Sequence, residues 1–272
     1  MIFIKIFRSL LYDPRLRNLS VNDPKLLAIH SKILHEKKQL KKVFNDFYDA
    51  MLRCNKNFVT SSGDEIELGS GVGFFKSNHP NLITTDVRSG QNIEKYINAQ
   101  KMKIKSNSLS CIYAINVFHH LENPDMFLRE ISRVLKPGGG CILIEPHEGF
   151  FSAFVHKFMH KSEIFDTKQD NWYNKSITGP LSGANQALAY IVFKRDLKLF
   201  KSKYGNNLEI KHQEYVTNGL RYFLTGGLNF RQILPSFLFF FVKILEITLS
   251  SVAKFWTLHQ ITVILKKTIK KK

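Results

Sequence analysis

An open α/β fold, with a mostly parallel sheet doubly wound by helices on both faces, is what the sequence predicts. Three observations carry it. A short apolar strand pattern runs into a glycine-rich turn, Glu-Leu-Gly-Ser-Gly-Val-Gly at residues 67–73. Strand-like apolar runs then alternate with helical spacing as far as Pro146, the succession that gives parallel strands and crossover helices. The second of those strands ends in an acid, Asp86, 19 residues beyond Glu67.

The elements follow in chain order. Asp13-Pro14 and Asp23-Pro24 each place an N-cap acid before a proline at the first helical position. From residue 24 to about 54 apolar residues recur at helical spacing, among them Leu26, Ile33, Leu40, Val43, Phe47 and Met51. This predicts one long or broken amphipathic helix whose basic face, Lys37, Lys38, Lys41 and Lys42, is solvated. Residues 65–68 form the first strand. Gly69, Gly71 and Gly73 then let the backbone turn sharply, because glycine accepts positive φ, and a helix N-terminus beyond such a turn favours an anionic group. The turn is not a P-loop, since Gly73-Phe74-Phe75 lacks lysine and hydroxyl. Nor is it a dinucleotide fingerprint, since Phe74 stands where the third glycine would be. Residues 81–86 are the second strand, and an acid at its end is placed to accept both ribose hydroxyls of an adenosine. Turn clusters at 98–100 and 106–108 precede a strand at 109–116. An amphipathic helix at 124–135 is stopped by Lys-Pro-Gly-Gly-Gly (136–140), and residues 141–146 are the next strand.

Taken together, residues 65–146 resemble the class I S-adenosylmethionine-dependent methyltransferases of the ubiquinone/menaquinone (methyltransferase type 11) kind. The matching pieces, in order, are Glu-Leu-Gly-Ser-Gly-Val-Gly (67–73), Thr-Thr-Asp (84–86), Asn-Ala-Gln (98–100) with Asn-Ser-Leu (107–109), Phe-His-His-Leu (118–121) and Leu-Lys-Pro-Gly-Gly (135–139). The resemblance implies a Rossmann-like sheet of seven strands with the last antiparallel, and S-adenosylmethionine as cofactor. It implies that Glu67, Gly69, Ser70, Gly71 and Gly73 cradle the methionine part, that Asp86 binds the ribose, that Asn98 and Ala99 sit at the adenine edge, and that Asn116 lines the same site. The family usually has aspartate where Asn98 stands. An amide oxygen still accepts from the adenine amino group but brings no charge.

The C-terminal half is the variable part of such a domain. Residues 150–204 read as a substrate insertion containing Trp172, Tyr173, Asn185 and Gln186. Residues 208–216 and 259–265 read as the sixth strand and the closing antiparallel one. Between them, 218–255 is apolar and aromatic, with Leu234, Leu238, Phe241, Leu245 and Leu249 on one helical face. That face is either a packed lid or a patch lying on a membrane, helped by the basic tail Lys266, Lys267, Lys270, Lys271 and Lys272. The division is a helical segment (1–58), the cofactor-binding core (59–149), and cap insertions with closing strands of the same domain (150–272).

A formal charge of +18, from 40 basic and 22 acidic residues, suits an anionic partner: nucleic acid, a membrane face or a phosphorylated substrate. Nucleic-acid amino methyltransferases carry Asp/Asn-Pro-Pro after the fourth strand. Here that place reads Asn-Val-Phe-His (116–119), so no specific nucleic acid is expected. Cys54, Cys111 and Cys141 form no Cys-x-x-Cys pair, which argues against a zinc site and against a disulfide framework, and for a reducing, cytoplasmic compartment; no metal is expected. No run approaches the roughly 20 apolar residues of a spanning helix; contact with a membrane would be peripheral, at the inner face. Ligands of such sheets lie beyond the carboxyl ends of the strands, where His119, His120, Glu145, His147 and Glu148 fall. His120 and His147 are the candidate general bases for an O-methyl transfer, to a small-molecule or lipid-linked acceptor such as a glycan intermediate. The competing classes are a non-catalytic scaffold that keeps the fold and a basic nucleic-acid binder.

Overall fold

The computed structural model describes residues 8–159, 163–174, 179 and 183–268. The opening apolar segment, Lys270–Lys272 of the basic tail and parts of the 150–204 insertion lie outside the described residues.

Asp13 accepts the N–H of Arg15 and opens a single 3-10 turn, Pro14–Leu16. The long helical pattern is two helices, α1 (Leu26–Glu36) and α2 (Lys38–Phe58), broken at Lys37. Lys37 does not join a solvated face. Its ammonium turns inward and donates to the carbonyls of Thr225 (3.0 Å), Gly227 (2.8 Å) and Phe230, and burial pulls its pKa down to about 8. Lysine spacing predicts a wet stripe; only the chain nearly two hundred residues away decides that one member is half-buried with its ammonium inward.

The strands β1 (Asp64–Leu68), β2 (Ile83–Asp86), β3 (Lys95–Tyr96), β4 (Leu109–Ile115), β5 (Leu135–Pro146), β6 (Leu208–Val216) and β7 (His259–Lys266) form one sheet in the order β3-β2-β1-β4-β5-β7-β6. β1 to β5 are parallel; β7 lies antiparallel to both β5 and β6. The edge strand β3 escapes the sequence reading because both of its residues are exposed and two residues carry no alternation. The other difference lies at β5. The helix α3 (Pro124–Val134) passes directly into it: Leu135 is already extended and pairs with Leu109, and the Pro-Gly-Gly-Gly run continues the strand through a bulge.

Strand alternation builds two layers. Ile112, Ala114, Cys141 and Leu143 pack against Phe127, Leu128 and Ile131 of α3 and against Phe193 and Phe200 of the insertion. Cys111, Tyr113, Ile142, Ile144, Ile261 and Val263 meet Phe47, Tyr48, Met51 and Cys54 of α2 on the other face. α2 therefore covers the sheet where a crossover helix would, and brings Tyr48 beside the tip of β1.

The 218–255 region folds as α4 (Gly219–Thr225) and α5 (Phe239–Thr248) with short turns around them. In α5 only Phe239 and Glu246 are buried. Phe241 is 62% and Leu245 48% exposed, so this apolar face does not pack as a lid onto the core. Among the described residues no helix is long and apolar enough to cross a membrane.

Candidate active site

The glycine turn is fixed to the neighbouring strand. Ser70 N–H donates to Thr85 O (2.8 Å), and Ser70 Oγ accepts from Thr85 N–H (3.1 Å). Gly69 has φ +63°, and a Cβ there would lie 2.5 Å from Val117, so both conformation and space exclude a side chain. Phe74 N–H reaches the Tyr48 hydroxyl at 3.2 Å. No sequence motif marks Tyr48, because its contribution comes from a helix far upstream.

Two adjoining clefts open at the carboxyl ends of the strands and share Gly69, Arg88, Asn116 and His120. The first is bordered by Asp86, Asn98 and Ala99, the second by Glu67, Ser70, Gly71 and Gly73. The structure thus gathers all nine residues expected at the cofactor around one continuous depression.

Their states differ. Asp86 is buried and already engaged. Its Oδ2 accepts from Gly71 N–H (3.0 Å) and Arg88 Nη2 (3.2 Å), and its Oδ1 from Arg88 N (2.9 Å) and Nε (3.2 Å). The Arg88 side chain thus covers the carboxylate from the cleft side. Asn98 Oδ1 accepts Gln100 N–H at 2.8 Å and keeps one lone pair. Asn116 holds φ +55°, an uncommon and costly backbone for a non-glycine residue, and its Oδ1 is buried without a hydrogen-bond partner.

Glu67 is 4% exposed, and its Oε2 also has no hydrogen-bond partner. Burial pushes its pKa up to about 7, against a lowering contribution from Ser70 and with a smaller rise from the charge of Asp86. A buried carboxyl with an idle oxygen beside a glycine turn suits a cationic ligand, so these residues fit a cofactor that carries a sulfonium and an ammonium. The affinity for S-adenosylmethionine is expected to rise several-fold from pH 6 to pH 7.5, as Glu67 ionises, and Glu67→Gln should flatten that profile in calorimetry. Stability runs the other way. A folded-state pKa above the unfolded value means that the native state holds the proton longer, so the contribution of Glu67 falls as pH rises from about 4.5 towards 7.

The histidines separate. His147 lines neither cleft: Nδ1 meets Glu148 at 2.8 Å, Nε2 meets the carbonyl of Lys254 at 2.9 Å, and the ring packs on Tyr215. With both nitrogens bonded and the ring buried, it is no base for a substrate in this depression. His119 and Glu145 are also internal. Glu145 accepts from the N–H groups of Val117, Phe118 and His119 and from His119 Nδ1 (2.6 Å), capping the 3-10 turn Phe118–His120. His120 alone of the two candidate bases borders both clefts. Facing it is Glu163, with Oε1 3.8 Å from His120 Nε2. Glu163 comes from the insertion, where no pattern in the sequence could have marked it.

A glycine turn at β1, an acid at the tip of β2 and an antiparallel β7 inside a seven-stranded sheet define the class I methyltransferase fold. Residues 80–143, from just before β2 to within β5, match the family model described as a methyltransferase domain. That stretch carries the methyltransferase-domain match, and the sheet around it has the fold of the S-adenosylmethionine-dependent methyltransferases. Two solved structures share the fold at low identity. One is a chain of the complex between the Haloferax volcanii Trm112 methyltransferase activator and a protein assigned as a methyltransferase (12% identity, TM-score 0.50, covering 93% of this chain and 100% of the other). The second is an S-adenosylmethionine-dependent methyltransferase from Thermotoga maritima (14%, TM-score 0.50, covering 89% and 99%). Among curated proteins no sequence matches.

Proposed function

We propose that this chain transfers a methyl group to an oxygen of an apolar or lipid-linked acceptor, such as a glycan intermediate, bound beside His120. The observation that carries this reading is the position of His120, the one candidate base that opens on both clefts next to the glycine turn. S-adenosylmethionine supplies the electrophilic methyl carbon. The chain holds the cofactor through Glu67, the turn from Gly69 to Gly73, Asp86, Asn98, Ala99 and Asn116. His120 takes the proton of the acceptor hydroxyl, and the bound geometry brings the acceptor oxygen in line with the methyl. Labelled S-adenosylmethionine incubated with a lipid extract should yield a labelled product extractable into organic solvent. Label confined to water-soluble products or to nucleic acid would defeat the reading.

The apolar acceptor is supported by α5. Phe237, Phe240, Phe241, Ile244, Ile247 and Phe255 are exposed, with Lys243 and Lys254 among them. Such a face with basic flanks suits an anionic membrane surface. The protein is expected to float with vesicles containing phosphatidylglycerol at low salt. Burying one phenylalanine contributes roughly 1.5–3 kcal/mol, so Phe240→Ser with Phe241→Ser should weaken flotation at least about tenfold. Equal flotation of both proteins would remove the membrane from the reading.

A further inference from the structure

Beside the glycine turn, three side chains meet that the reading above uses only in part. His119 Nε2 lies 3.9 Å from Glu163 Oε2, and His120 Nε2 lies 3.8 Å from Glu163 Oε1. One ligand atom from each of the three residues falls within 4.8 Å of the others. These separations exceed a hydrogen bond. The ligand atoms around a tetrahedral ion with bonds of roughly 2.1 Å lie about 3.4 Å apart, so the two His–Glu separations would close by about half an ångström and the longest separation of the set by up to about 1.4 Å. The surroundings orient it. Glu145 accepts a hydrogen bond from His119 Nδ1–H, which leaves Nε2 on the side of Glu163, the carboxylate–histidine pattern of metal centres. Gln186 donates to Glu163 Oε2. Asn174 Nδ2 donates to the carbonyls of His119 (2.9 Å) and Leu121 (2.8 Å) and steadies the turn that carries both histidines.

We propose that His119, His120 and Glu163 bind a divalent transition ion, with Zn2+ as the type expected for two imidazoles and one carboxylate, and with an open position towards the cleft bordered by Glu163 and His120. This deepens the proposed O-methylation and rests on it for the ion's use. There the ion takes over the task assigned to His120 alone: it receives the acceptor oxygen and eases loss of its proton to solvent. The oxygen then forms its bond to the methyl carbon as the carbon–sulfur bond breaks and leaves its electron pair on sulfur. Binding of the ion itself does not depend on the acceptor.

The test uses the full chain stripped with a chelator and titrated with Co2+, whose visible absorption reports tetrahedral nitrogen–oxygen ligation, and then with Zn2+ in competition. One equivalent is expected, bound at least about tenfold more tightly than by His120→Ala or Glu163→Gln. Melting curves and S-adenosylhomocysteine calorimetry on Glu163→Gln show whether the fold and cofactor pocket survive. A parent chain that binds S-adenosylhomocysteine but takes up Co2+ and Zn2+ no better than Glu163→Gln overturns the metal site. A chain that binds the ion but not S-adenosylhomocysteine leaves the site standing and defeats the methyltransferase reading instead.

Discussion

Replacing Asp86 with alanine is expected to weaken S-adenosylhomocysteine binding at least about a hundredfold, read by titration calorimetry. On the proposed reading the carboxylate accepts two ribose hydroxyls. Each hydrogen bond to a charged group contributes roughly 1.5–3 kcal/mol, and about 1.4 kcal/mol is a factor of ten in Kd. Asp86 also holds the glycine turn through Gly71 N–H at 3.0 Å, so its loss loosens the cradle as well. Arg88 supplies the control. Its guanidinium caps the same carboxylate through Nε and Nη2, and on the proposed reading it moves aside for a ribose. Arg88→Ala should therefore leave affinity unchanged or raise it a few-fold. Equal losses in the two variants would make Arg88 a ligand in its own right and refute the displacement.

Replacing Arg221 with leucine is expected to destabilise the fold by about 3–5 kcal/mol in urea unfolding, the usual cost of stranding a buried charge. Arg221 on α4 bonds Asp46 of α2 through Nη1 (2.7 Å) and Glu246 of α5 through Nε, while its backbone N–H donates to Glu246 Oε1 (2.9 Å). Glu246 is 1% exposed. Burial raises the pKa of both carboxyls, and Arg221 opposes the rise. Without the guanidinium the pKa of Glu246 climbs further above its unfolded value, so stability is lost as pH rises. The deficit should be smaller at pH 5 than at pH 8. Adding Glu246→Leu should recover much of it, since the stranded charge is then gone. This triad fastens α5 to α2, so its loss should also abolish vesicle flotation before the core unfolds.

Much of the frame is legible in the linear order of residues because its causes are local. Short apolar runs mark β1, β2, β4 and β7, and partial alternation marks β6; the proline of α3 fixes that helix's start; the glycines and Asp86 mark the cofactor end of the sheet. Nearest neighbours set each of these. The site beyond the cofactor is not legible in that way. Glu163 lies 43 residues past His120 on a segment with no periodic signal, and it is brought there by the packing of the insertion. His147 has the right position in the chain and the wrong surroundings, since Lys254 O and Glu148 occupy both of its nitrogens.

Residue spacing alone establishes the α/β sheet, the glycine turn and the acid that faces it, because backbone conformation and strand alternation depend on adjacent side chains. Folding decides which charges are buried and which are paired. Lys37 is sealed by carbonyls nearly two hundred positions away, Asp86 is covered by Arg88, and the apolar face of α5 is left bare. Desolvation and hydrogen-bond satisfaction belong to the assembled surroundings of a group, and no window of sequence contains those surroundings.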